Sequence, residues 1–191
     1  MTILNIVELS AEMLTLERIV EAIKNPQEVS LLSHEQREFD ILVQSARTVI
    51  DEIGREYAPL TKISRINVSN RGIIPFSAFP LPVLEVRRVS NGITSMRFTQ
   101  SLDGIVVDTP FGAELDITYT YAPQPACNTT PLEWENGRIG LRLIAFGTVA
   151  EYCIRLGMID EAVLWDRRYK DALLAMARPL REKRVRQRRF K

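Results

Sequence analysis

Leu115-Asp116-Ile117-Thr118-Tyr119-Thr120-Tyr121 decides how this chain is read. Apolar or aromatic residues alternate with polar ones, and a period of two places every second side chain on one face of a strand. The same period governs the chain back to Ile63. Ile63-Ser64-Arg65-Ile66-Asn67-Val68 is a strand candidate, and Leu84 to Val89 is another. The latter leads into Asn91-Gly92, which tolerate the positive φ of a type I′ hairpin turn, with a return strand from Ile93 to Phe98. A second reversal at Asp103-Gly104 leads into Ile105-Val106-Val107. The pattern predicts an antiparallel meander of four or five strands with one buried face. Ile73-Ile74-Pro75-Phe76 and Arg97 read as local structure of this module.

On either side the period lengthens to about 3.6 residues, that of a helix. Leu16, Ile19, Val20 and Ile23 form a short amphipathic stripe that ends near Asn25-Pro26. A second helix is expected from Ser33, with its hydroxyl as N-cap and Gln36 reaching back in a capping box. Its stripe runs Phe39, Leu42, Val43, Ala46, Val49, Ile50, Ile53 and stops by Ala58-Pro59. Beyond the β region, Ala122 to Pro131 holds Pro123, Pro125 and Pro131 and reads as a crossing loop. Helical spacing resumes at Ile139 and continues through Leu143, Phe146, Val149, Ala150 and Cys153 to a stop at Gly157. A last helix is expected from Asp160 as N-cap, with Ala162, Trp165, Tyr169, Ala172, Leu173, Met176 and Leu180 on its buried stripe and Pro179 near its end.

The expected architecture is α+β: mainly a helical bundle of about four helices, with an inserted antiparallel β module and a basic C-terminal extension. The N-terminal helices occupy 1–60, the β module 61–123, the C-terminal helices 124–180 and the basic tail 181–191. Hydrophobic residues at 46% and charged residues at 26% exclude a wholly disordered chain. No apolar run approaches the roughly 20 residues of a membrane span. Met1-Thr2-Ile3-Leu4-Asn5 lacks a basic segment followed by an apolar stretch, so the chain is expected to be soluble and to stay where it is made. On that expectation the glycosylation pattern Asn128-Thr129-Thr130 carries no weight.

Residue chemistry points away from catalysis. Cys127 and Cys153 lack the short spacing of a metal or redox motif. His34, the single histidine, falls in the first turn of a helix, where an exposed polar side chain is the default. Phosphate loops, nucleophile elbows and metalloprotease motifs do not occur. Carboxylates fall at helix starts (Asp160, Glu161), on polar helix faces (Asp51, Glu52, Glu56) and outward along strands (Glu114, Asp116), where solvation places them. The expectation is no enzyme, no catalytic, cofactor or metal site and no cofactor, although paired carboxylates could still converge in three dimensions.

The strongest functional signal is the C-terminus. Arg181, Lys183, Arg184, Arg186, Arg188, Arg189 and Lys191 stand against Glu182 alone, so the last eleven residues carry +6 and the first 180 carry −5. Such a run can be a solvated end, can neutralise nucleic-acid phosphates, or can dock on an acidic protein groove. Phe190, set among arginines, favours docking, because an aromatic flanked by arginines makes a good anchor.

Ala150-Glu151-Tyr152-Cys153-Ile154-Arg155-Leu156-Gly157-Met158-Ile159-Asp160-Glu161-Ala162, continuing through Trp165 and Tyr169 to Leu173, resembles the C-terminal helical hairpin of head-to-tail connector (adaptor, or head-completion) proteins of tailed bacteriophages. There a helix ends at glycine, the next has an acidic start and an aromatic face, and the chain closes on a basic tail with a terminal aromatic, here Arg186-Gln187-Arg188-Arg189-Phe190. The resemblance is strongest over roughly the last forty residues and architectural elsewhere. It implies a structural virion protein at the neck of the capsid vertex, made in the host cytoplasm. Commonly twelve copies would form a ring under the portal and extend the DNA channel. The tail residues Arg181, Lys183, Arg184, Arg186, Arg188, Arg189, Phe190 and Lys191 would bind the portal protein. Other implied partners are further copies of itself, neighbouring tail or head-completion proteins and DNA in transit, with no membrane. A nucleic-acid-binding module using the tail, or a tail-completion protein, stand as alternatives.

Overall fold

A computed structural model describes residues 1–68, 72–109, 112–134 and 139–177. Among these, five helices, α1 (Ile3–Met13), α2 (Glu17–Lys24), α3 (Ser33–Glu52), α4 (Leu141–Arg155) and α5 (Ile159–Ala177), accompany seven strands. The strands are β1 (Leu60–Asn67), β2 (Ile73–Pro75), β3 (Glu85–Ser90), β4 (Ser95–Met96), β5 (Phe98–Gln100), β6 (Gly104–Val107) and β7 (Glu114–Tyr121).

This corrects the expectation of a mainly helical bundle: the fold is α+β, with two antiparallel sheets beside the helices. The β region is no appendage, because it buries a core of its own, with Val89, Ile105, Leu115, Ile117 and Tyr119 fully enclosed. Nor is it a meander. The sheets run β1-β7-β3-β4 and β2-β6-β5, so β7 lies between β1 and β3. Leu60 pairs with Tyr121 and Asn67 with Glu114 along the whole of β1 and β7. Tyr119, on the inner face of β7, meets the ring of Phe79 edge-on with centroids 5.0 Å apart.

The reversal at Asn91-Gly92 exists, but its loop has four residues, since Ser90 pairs with Ser95. The Asn91 carboxamide oxygen accepts hydrogen bonds from the Ile93 and Thr94 amides, at 3.1 and 2.8 Å, holding the wider loop in place of a two-residue turn. The return strand is accordingly short, Ser95–Met96.

α1 escaped the periodicity reading, although its inward residues Ile3, Ile6, Val7, Ser10 and Ala11 follow helical spacing. Apolar Leu4 and Leu9 on other faces blur that stripe. Its start is marked by Thr2, whose hydroxyl accepts from the Asn5 amide at 3.2 Å while Asn5 Oδ1 accepts from the Thr2 amide at 3.0 Å. In α3 the reciprocal contact sits one residue from the expected place: the Glu35 carboxylate accepts from the Leu32 amide at 2.7 Å, and Ser33 is already helical. α5 likewise begins at Ile159, so Asp160 lies inside the first turn and acts on the helix dipole rather than as cap. Gly157 does take the left-handed position (φ 75°), and the Met158 amide donates back to the Cys153 carbonyl at 2.9 Å.

All five helices share one core, with α4 packed against α1, α3 and α5. Gly147 lets α3 and α5 close on the middle of α4: a Cβ there would stand 2.8 Å from Val49 Cγ1 and 2.9 Å from Tyr169 Cε2. α3 ends in a single π turn, Ile53–Tyr57, and Gly54 within it lies directly under Pro123 and Ala122 of the crossing loop. The helical and β cores are thereby joined at one seam.

Candidate functional site

The seam carries a cleft of about 800 Å³. Tyr57, Leu60, Arg87, Tyr121, Trp134 and Met176 contribute to its walls. Five of the six are put there by a local feature, and Met176 comes from the last turn of α5. The π turn presents Tyr57, and Leu60 opens β1. Arg87 is the extra residue where the register of β3 on β7 slips between Val86 and Arg88, and a bulge of this kind redirects a side chain. Trp134 is fixed by donating its indole N–H to the Ala58 carbonyl at 3.0 Å. The Tyr121 hydroxyl donates to the Glu133 carboxylate. Burial first, then that carboxylate, push Tyr121 up to about 12. The hydroxyl therefore stays protonated at neutral pH and acts as a hydrogen-bond donor to Glu133.

A second feature is apolar surface carried outward. Ile93 and Leu102, at the tips of the β3–β4 and β5–β6 hairpins, are 90% and 97% exposed. On the helical side, Val163 and Leu174 stand out from α5 at 64% and 65%, with Ile159 and Leu164 also exposed. Arg167 and Lys170 share that outer surface, and Arg168 lies over the Trp165 ring at 4.5 Å. Isolated exposed leucines are ordinary, but large aliphatic side chains stand at both hairpin tips and along the outer face of one helix.

A third feature is an acidic face where α3, α4 and α5 meet. Burial, then the Glu56 carboxylate, raise Glu52 above its ordinary range, with Asp166 and Glu151 adding to the negative field. The buried Tyr169 hydroxyl lies beside Glu52 and is held protonated by burial and by that carboxylate. It makes no hydrogen bond among the described residues. Asp166 and Glu151 are each neutralised along their own helix, by Lys170 at 2.6 Å and Arg155 at 2.9 Å. Among the described residues no three His, Cys, Asp or Glu side chains gather at metal-binding distance.

The residues singled out from sequence are dispersed. His34 is exposed on the first turn of α3. Cys153 is buried and burial raises its thiol. Cys127 is exposed in the crossing loop, and the hydroxyls of Thr129 and Thr130, 3.1 and 3.0 Å from Sγ, lower its thiol to about 7. The tail residues Arg181, Lys183, Arg184, Arg186, Arg188, Arg189, Phe190 and Lys191 lie outside the described residues, as do Pro179 and Leu180. Sequence reasoning missed the cleft altogether, because it is assembled from residues between 57 and 177 that meet only at the seam. Among the described residues no helix is long and apolar enough to cross a membrane. No family model matches the chain, and no curated protein matches it in sequence.

Proposed function

We propose that this chain is a non-enzymatic structural protein of a tailed-phage virion, a head-to-tail connector that forms a ring under the portal and extends the DNA channel. The observation that carries the reading is the outward apolar surface on two unlike parts of the chain: the hairpin tips at Ile93 and Leu102, and the outer face of α5 at Val163 and Leu174. A closed ring of identical subunits needs two different, complementary flanks, whereas a two-fold dimer needs one patch that matches itself. The basic tail supplies the contact to the portal, and repetition around the ring makes a modest affinity per tail into a long-lived attachment. The −5 carried by the first 180 residues suits a channel that lets DNA slide without gripping it. The setting is the virion neck, with assembly from subunits made in the host cytoplasm and with tail or head-completion proteins as neighbours.

Co-sedimentation of the full chain, and of a chain ending at Leu180, with portal rings at low and moderate salt tests this reading; duplex DNA serves as the parallel ligand. Portal binding that requires the tail is the expected result. Salt-sensitive binding to DNA alone would overturn it in favour of a nucleic-acid module, the reading that the seven basic tail residues favour next.

A further inference from the structure

Residues 1–59 hold eleven carboxylates against five Lys and Arg, a balance of −6 that mirrors the +6 of the last eleven residues. Part of that charge rims a groove between α1 and α2. Ala11, Leu16 and Val20 give it an apolar floor, Glu12, Glu17 and Glu21 stand at its edges, and its volume is about 360 Å³. Lys24, the cation at this groove, is engaged with Glu8 at 3.3 Å and Glu12 at 3.1 Å. Glu17 and Glu21 are exposed and form no ion pair among the described residues. An apolar floor with two carboxylates beside it suits an aromatic side chain flanked by arginines, the arrangement of Arg188-Arg189-Phe190.

The chain can reach. Ala177 and Ile139 both line the seam cleft, at the N-terminal end of α4, whereas Leu16 and Leu156 share a depression at its C-terminal end. The fifteen residues of α4 span about 23 Å. The eleven residues from Arg178 to Arg188 extend up to about 36 Å.

We propose that in the unassembled subunit the C-terminal tail occupies the α1–α2 groove of its own chain. Phe190 rests on Leu16 and Val20, and Arg188 and Arg189 lie beside Glu17 and Glu21. The tail is then sequestered until a partner with more acidic or better-fitting surface displaces it, which keeps free subunits from associating through it. This holds whatever that partner is and does not rest on the virion reading.

The test is disulfide trapping in the full chain. Val20→Cys and Phe190→Cys are combined with Cys127→Ser, which removes the exposed native thiol, and oxidised at low protein concentration. Glu21→Cys, at an exposed position, replaces Val20→Cys if thermal melting shows that the latter does not fold. Peptide mass spectrometry and a non-reducing gel read the product. The expected result is an intramolecular link between positions 20 and 190, at least fivefold more abundant than with Leu102→Cys in place of Val20→Cys, and suppressed when Glu17→Lys is added. A yield no greater than that control overturns the proposal. A link found only between two chains overturns it too, and gives the groove to the tail of a second copy.

Discussion

The helical and β halves of this chain bury cores of similar completeness by opposite means. In the helices, a residue's inward neighbours on its own element are three or four positions away, so the stripe Leu42, Val43, Ala46, Val49, Ile50 is visible in one short window. In the β half the partner of Leu60 is Tyr121, and β3 lies beside β7 rather than beside β1. Nothing within a short window specifies that order. The difference teaches that local period states which side chains go in, while only long-range pairing states what they meet.

The comparison is broken most forcefully inside the β core. Tyr119→Ala removes a fully buried ring from β7 and should cost about 3–5 kcal/mol. If the seam couples the halves, thermal unfolding followed by far-UV circular dichroism, which reports the helices, and by hydrogen exchange of the β7 amides shows one shared, lowered midpoint. A β transition that separates from an unmoved helical one would show that the cores fold apart.

In the helical core the corresponding blow is Gly147→Val, which drives a branched side chain into Val49 and Tyr169 and should cost about 1–3 kcal/mol. Denaturant midpoints measure it. An unchanged midpoint would mean that α3 and α5 are free to move off α4. At the seam, Trp134→Phe keeps an aromatic body but leaves the Ala58 carbonyl without its indole donor, a loss of about 1 kcal/mol. The cooperativity of the Tyr119→Ala transition should fall when the two changes are combined.

A smaller effect probes the acidic face. Glu52 has a raised value in the folded chain, so the native state holds its proton more tightly than the unfolded state does. Its contribution to stability is therefore complete below the ordinary carboxylate range and is lost as pH rises through the raised folded value. Glu52→Gln should raise the melting temperature near neutral pH and leave it unchanged in acid. Because Glu52 is only part-buried, solvent screening holds the gain to about 0.5 kcal/mol. The least disruptive probe is alkylation of the native thiols. Cys127 should react with a midpoint near pH 7, moving upward in Thr130→Ala, while Cys153 stays protected until the helical core opens.

The sequence by itself determined the periodic elements: the stripes of α2 to α5, the alternation of β7, the reversals at Asn91-Gly92 and Asp103-Gly104, and the stop at Gly157. Each rests on contacts between residues close in the chain. Alone it also showed the charge asymmetry of the C-terminus. α1 was missed although Ile3, Ile6, Val7, Ser10 and Ala11 keep helical spacing and Thr2 and Asn5 form a capping box at its start, signals that lie within one short window. The proportion of helix to sheet, the two-sheet topology, the bulge that turns Arg87 toward the seam, and the cleft itself were decided by tertiary structure. They depend on β7 entering between β1 and β3 and on Pro123 settling over Gly54, pairings set by the energy of the whole fold rather than by neighbouring residues.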